Sequence, residues 1–377
     1  ALRVARGENA SQTLAELIRF AQWALPAYHA SSLMENKQLA SLLALRLAEG
    51  IGDTLFRRLM AEFETADEVF SSPARALCEV EGIAEKTARA VHDSRDACMR
   101  EAEKHLAAIE KAGARVMSCL DENYPRLLKE IHDYPAFLFI KSAVPPAELP
   151  CLREERCFAV VGTRRATAYG KKVARDISHA LASRGVCIVS GLASGIDTAA
   201  HRAALEAEGG TTLAILGNGI DTIYPPENAA LAEEISKRGA VISEFLPGSP
   251  PEPGNFPKRN RIIVGLSQGV VVVEAPARSG ALITAGLAHE YGRSVYAVPG
   301  AVTSPASEGA NTLLQKGAFL VQRWEDIAGD LPVLGLAPSK DGGGKPVKVE
   351  FEAPEEEAIF SHLSHADPVH IDSLAQK

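Results

Sequence analysis

Two short turns in this chain combine small residues with cations or hydroxyls in a way that suits anion binding. Gly162-Thr163-Arg164-Arg165, with Thr167 close behind, follows the apolar run Phe158–Val161. Ser190-Gly191-Leu192-Ala193-Ser194-Gly195 follows the apolar run Val186–Val189. Glycine lets a phosphate approach the backbone, and arginine offers a planar fork of donors to its oxygens. Three further patches share the pattern: Gly217-Asn218-Gly219 ahead of Ile223-Tyr224-Pro225, the run Asn255-Phe256-Pro257-Lys258-Arg259-Asn260-Arg261, and Glu274 with Arg278-Ser279-Gly280 and Thr284. Basic groups recurring at separate turns, with Phe256 and Tyr224 beside them, fit a groove that tracks single-stranded nucleic acid.

Other chemistries lack their residues. The first turn reads GTRRATAYG, not GxGxxG, and Ser190 and Gly191 stand where a dinucleotide site needs a ribose-binding acid. Neither a GxxxxGK[ST] phosphate loop nor a GxSxG nucleophile elbow occurs. His201 is expected to pack within a helix, and Asp197 to cap or brace that helix. Six cysteines form no CxxC pair and no cluster with histidine, so neither zinc nor a disulfide framework is expected. They read as free thiols in a reducing cytoplasm. No cofactor, metal or catalytic residue is expected.

The turns need a scaffold, and the surrounding pattern supplies one. Apolar runs at 157–161, 186–190, 211–216, 240–245, 269–274, 294–298 and 318–321 alternate with helical periodicity, as in the helix expected from about Tyr169 to Ser183. That rhythm predicts an α/β fold with a doubly wound, Rossmann-like parallel sheet, whose strand-to-helix turns gather helix N-termini at the carboxyl edge. Upstream, 45–60 and 77–91 each read helix, Gly-Ile-Gly/Ala, helix. Such hairpins present backbone N–H groups to phosphate, or simply join packed helices. A helix over 101–112 and strands near 115–119 and 137–140 follow. Residues 14–25 form an amphipathic stretch, 331–354 a linker rich in Gly and Pro, and 355–377 the start of a helix-turn-helix or winged-helix domain. The expected domains are therefore 1–110 (helical), 111–330 (sheet, core 157–327), and the short C-terminal piece. No run of about 18 apolar residues argues for a membrane span. The net charge of −8 disfavours nucleic acid only on average. Residues 151–184 hold eight Lys/Arg against three acids, while acids gather in the tail.

Six blocks in order resemble the DprA/Smf family of DNA-processing proteins: VVGTRRATAYG, IVSGLASGIDTAAHRAAL, LAILGNGIDTIYPPEN, FPKRNRIIVGLSQGVVVVEA, RSGALITAGLAHEYGRSVYAVPG and EGANTLLQKGA, spanning about 157–327. The helical region resembles the family's sterile-alpha-motif-like domain, and the tail the first half of its winged helix. The resemblance implies a non-enzymatic protein that binds single-stranded DNA and protects incoming strands during natural transformation. It also implies loading of the RecA recombinase in place of single-strand-binding protein, and a homodimer formed through the Rossmann-like domain. By motif, Arg164 grips a phosphate, supported by Gly162, Thr163 and Thr167. Lys258, Arg259 and Arg261 line the same pocket with Asn260, Phe256 stacks on a base, and Ser190, Gly191 and Gly195 complete the site. Two departures stand out: Ser194, where many relatives have lysine, and Pro226-Glu227, where relatives often carry one. They imply weaker phosphate contact on that flank, or contact shifted to Lys171 and Lys172. The competing resemblance is to Rossmann-type nucleotide-phosphate ribohydrolases. EAPARSGALITA has Ser279, Gly280 and Thr284 but lacks PGGxGTxxE, and Glu274 precedes the turn. Glu274 is expected instead to hold Arg278 or a helix N-terminus.

Overall fold

The computed structural model describes residues 37–331; the amphipathic stretch 14–25, nearly all of the linker and the expected winged-helix start lie outside them. Nine strands form one sheet in the order β1-β2-β6-β5-β4-β3-β7-β8-β9. They are β1 (Ala114–Ser118), β2 (Phe137–Lys141), β3 (Cys157–Val161), β4 (Cys187–Ser190), β5 (Thr212–Ile215), β6 (Ala240–Ser243), β7 (Gly269–Val272), β8 (Ser294–Ala297) and β9 (Phe319–Leu320). From β6 across to β9 every pairing is parallel, whereas β1–β2 and β2–β6 are antiparallel. The two strands expected near 115–119 and 137–140 thus extend the sheet at its edge, a placement that periodicity alone does not convey.

The central strands are buried along their whole length, as a parallel sheet covered on both faces requires. Alternation sorts their side chains. Phe158, Val160 and Val271 join one core cluster, and Ala159, Val161, Val270 and Val272 the other. The first face is covered by α8 (Ala168–Ala182) and α9 (Ile196–Glu206), through Ala174, Ile177, Leu181, Ile196 and Ala200. On the other face lie α10 (Ala229–Arg238), α11 (Asn255–Gly265) and α12 (Gly280–Glu290).

The same core continues into the N-terminal helices: α1 (37–47), α2 (Asp53–Glu62), α3 (Ala66–Ser71), α4 (Ala74–Leu77) and α5 (Glu85–Lys111). The expected helix at 101–112 is the second half of α5, a single 27-residue helix that runs on from the second hairpin. Both hairpins turn at a glycine with left-handed backbone, Gly50 (φ 85°) and Gly82 (φ 91°). Phe56 packs on Phe137 with ring centroids 5.3 Å apart. Arg57 donates to the carbonyls of His132 and Tyr134, so α2 is fastened to the loop ahead of β2. Between β2 and β3 stand the one-turn α7 (Pro150–Arg153), and before β2 the one-turn α6 (Arg126–Lys129); α13 (Glu308–Gln315) precedes β9.

Chain order reverses between β3 and β7, since β3 to β6 build the sheet in one direction and β7 to β9 in the other. The crevice outside the carboxyl ends of those two strands is where such sheets bind ligands.

Candidate nucleic-acid interface

Around that crevice three rings and fork-shaped groups form a stack. The Arg164 guanidinium lies 5.0 Å from the centre of the Phe256 ring, and the tilted Tyr224 ring has its centre 5.7 Å from that of Phe256. Phe256 is placed by the first turn of α11 and packs on Gly217, where an added Cβ would come within 2.8 Å of the ring. Two hollows border this stack. One, of about 520 Å³, runs from Arg164 and Arg165 past Pro253 to Arg278, Ser279 and Gly280 at the start of α12. The smaller, of about 230 Å³, reaches Ser194, Pro225 and Glu227. Arg164, Arg165 and Arg278 are exposed and face the first hollow. Both an aromatic platform and cations for a polyanion are therefore present.

Beneath the stack Arg259 is only 5% exposed, yet it borders both hollows. It donates to the carbonyls of Gly191 (2.7 Å) and Ile215, and to Asn260 Oδ1 (3.2 Å). Burial lowers its pKa to about 10 despite the opposing pull of Asp197. Asp197 accepts the N–H groups of Gly191 and Ala193, and burial raises its carboxyl above the usual range although Arg259 pulls it down. Desolvation thus outweighs mutual attraction for both members of this interior pair. The turn they hold contains Leu192 at φ 59°, a left-handed non-glycine whose carbonyl accepts from Asn228 Nδ2 at 2.7 Å. Strained backbone of this kind persists where the surroundings over-determine it. His201 is fully buried: Thr212 donates its hydroxyl to the Ile188 carbonyl and so accepts from His201 Nδ1 at 2.7 Å. Burial, reinforced by Arg259, lowers its pKa to about 3, which fits the packing role expected of it.

The glycines of the two turns are crowded by the protein itself. A Cβ at Gly162 would meet Ile196 at 2.5 Å, one at Gly191 would meet the Arg259 guanidinium at 2.5 Å, and Gly195 abuts the Thr163 and Arg164 carbonyls. Ser190 is buried, and its hydroxyl donates to the Val160 carbonyl at 2.7 Å. Gly162, Ser190, Gly191 and Gly195 build the turns, and Gly162 and Gly191 also border the larger and the smaller hollow. Thr163 borders the larger hollow beside Arg164. Thr167 caps α8 by accepting from Gly170 N–H at 3.1 Å, and it gives its own N–H (2.9 Å) and hydroxyl (2.5 Å) to Glu274. Glu274, 1% exposed, is the carboxylate at a helix N-terminus that its position suggested, and Arg278 is not its partner.

The expectation that Lys258, Arg259 and Arg261 line one pocket is corrected. One residue along a helix turns a side chain by about 100°, and only Arg259 and Asn260 face the stack. Lys258 and Arg261 border a separate hollow of about 430 Å³ with Arg46, Asp53, Asp133 and Glu244. Lys171 and Lys172 are exposed on α8, and Lys172 pairs with Asp176 at 2.5 Å. The two departures from the family pattern meet in space: Ser194 donates to Glu227 at 3.0 Å, which sets a carboxylate at the rim of the smaller hollow. Tyr224, Arg165 and Arg278 complete the surface. They stood within the sequence patches, but nothing in their spacing marked them as sharing a cavity with Arg164.

Residues 115–332 match the family of DNA recombination-mediator protein A. Protein Smf of Synechocystis is 38% identical over 316 residues, 82% of this chain and 76% of that one. DNA processing protein DprA of Bacillus subtilis is 42% identical over 227 residues, 60% of this chain and 74% of that one. Among solved structures, DNA processing protein A of Streptococcus pneumoniae superposes with a TM-score of 0.66 at 34% identity, covering 78% of this chain and 98% of that chain. DNA processing protein A of Helicobacter pylori, described for a unique single-stranded DNA binding mode, superposes with a TM-score of 0.51 at 29% identity, over 59% of this chain and 97% of that chain.

Proposed function

We propose that this chain, which belongs to the DNA recombination-mediator protein A family, binds single-stranded DNA across the Arg164–Phe256–Tyr224 stack. The observation that carries the reading is the stack itself: an exposed guanidinium over an aromatic ring, bordered by two hollows with further arginines along one of them. Phosphate contacts come from Arg164, Arg165 and Arg278, and bases rest on Phe256 and Tyr224. Arg259, Asn260 and Asp197 hold the platform from beneath. The role is non-enzymatic: Glu274, the carboxylate a ribohydrolase reading would need, is committed to the start of α8.

The finer picture follows the family. The protein covers incoming strands during natural transformation and hands them to the RecA recombinase in place of single-strand-binding protein. It works in the cytoplasm as a homodimer. Five of its six cysteines are buried and all are free, and no described helix is long and apolar enough to cross a membrane. The β9 edge, with Phe319 58% and Leu320 52% exposed, supports the dimer reading, because an open apolar sheet edge is a ready template for a second chain. A titration of labelled single- and double-stranded oligonucleotides of several sequences tests the core reading. Single strands are expected to bind alike whatever their sequence, with affinity falling steeply as salt rises. Preference for duplex, or salt-independent binding of mononucleotides alone, would contradict it.

A further inference from the structure

Arg261 lies on α11 five residues after Phe256 and two after Arg259, and its guanidinium faces away from both. Its side chain is 12% exposed and grips Glu244 through two bonds of 2.5 and 2.6 Å. Its Nε donates to the Asp133 carbonyl at 2.9 Å and lies 3.5 Å from the Asp133 carboxylate. Asp53, the first residue of α2, approaches to 3.7 Å and is itself paired with Arg46 at 2.7 Å. Asp133 is held in turn by the Tyr291 hydroxyl, 2.8 Å away at the end of α12. One guanidinium therefore joins the N-terminal helices, the loop before β2, the segment after β6 and α11. Burial alone would lower its pKa, and the bonds and charges of Glu244, Asp133 and Asp53 outweigh that and raise it. With three carboxylates around it, this group has no charge left to offer a phosphate.

We propose that Arg261 is a positioning residue for the DNA platform: its carboxylate cage fixes α11 against the N-terminal helices and so sets where Phe256 and Arg259 stand beneath Arg164. This rests on the proposed function, and the cage, not the FPKRNR motif, assigns the role. A bidentate fork has one geometry, which lysine cannot reproduce. A helix whose first turn carries the stacking ring is sensitive to small shifts when that fork is lost.

The sign of the effect separates positioning from charge. Removing an acid near a DNA site should strengthen binding by electrostatics alone. Under this proposal Glu244→Gln weakens it instead, by about tenfold, through the loosened helix. Affinity is measured by fluorescence anisotropy of a labelled oligo-dT across a salt series, with a 2-aminopurine oligonucleotide reporting stacking and a thermal melt reporting folding. Arg261→Lys, which keeps the charge, should weaken binding to a similar degree with the salt slope unchanged and stacking reduced. The double variant should be no weaker than the weaker single variant, because the two residues act as one unit. Asp53→Asn, which alters the outermost carboxylate, should show a smaller loss of the same sign and covers the case in which Glu244→Gln fails to fold. Binding by Glu244→Gln or Asp53→Asn equal to or tighter than that of the unsubstituted protein would overturn the proposal. So would a salt slope reduced by about 1 in Arg261→Ala, the mark of a lost phosphate contact. If the unsubstituted protein shows no salt-dependent binding of single strands, it is the proposed function that fails, since the cage variants would then have no binding to change.

Discussion

At the scale of single residues, the proposed interface separates side chains that would meet DNA from those that hold them in place. Glu227, held by Ser194, belongs to the first group and bears on affinity with the opposite sign from Arg164. Replacing Glu227 with lysine removes a rim carboxylate and adds a phosphate partner. Affinity for single strands should rise at low salt and the salt slope should steepen by about 1, read by anisotropy. His201 belongs to the second group. Its folded pKa, about 3, lies below the unfolded value near 6.5, so the unfolded chain binds the extra proton between these limits. Its contribution to stability is complete above about pH 6.5 and is lost as pH falls toward 3, at up to about 1.4 kcal/mol per pH unit for one proton. Asp197, whose pKa is raised, acts in the opposite sense: its cost to the fold sets in as pH rises past the unfolded carboxyl value and is complete above the folded one. Urea melts at a series of pH values should therefore show a shallower acid limb for His201→Gln than for the unsubstituted protein. An unchanged limb would mean that the buried imidazole is not the group being titrated. That Arg164 and Phe256 stand at one strand-end crevice was legible in the sequence, because their turns fall at strand ends. Which of the three neighbouring cations of α11 faces the stack was not, because it depends on the rotation of α11 about its axis.

The elements that matter most are the two turns and α11. Glycines 162, 191 and 195 read in the sequence as room for a phosphate, and at each an added Cβ would meet protein atoms. Sequence shows that a Cβ is excluded but not by what. Gly195→Ala places a Cβ against two carbonyls at a backbone φ of 85°, and it should destabilise the protein by roughly 1–3 kcal/mol in a thermal or urea melt. Gly191→Ala should act differently. Its Cβ displaces the Arg259 guanidinium, so strand binding should fall together with stability. The strands themselves were read within a residue or two of their ends because buried β-branched runs between turn residues admit little else. The attachment of β2 to β6 was hidden, since strand order is fixed by long-range pairing and not by local pattern.

For the whole molecule, charge is segregated: a protein of net charge −8 carries exposed Arg164, Arg165 and Arg278 around one crevice. Composition excluded little here, and position decided. At one edge of the sheet, two strands beyond β7, β9 leaves Phe319 and Leu320 open to solvent. A Phe319→Glu, Leu320→Glu double variant should run as a monomer in light scattering after gel filtration if that edge is where two copies meet, and an unchanged mass would place the contact elsewhere. The central claim is that the carboxyl edge of the sheet neutralises the phosphates of an unpaired strand through Arg164. The most direct test is the salt dependence of oligo-dT affinity for Arg164→Ala against the unsubstituted protein. Weaker binding of every single-stranded sequence, with a slope lower by about 1, is the predicted result. An unchanged affinity and slope would contradict it.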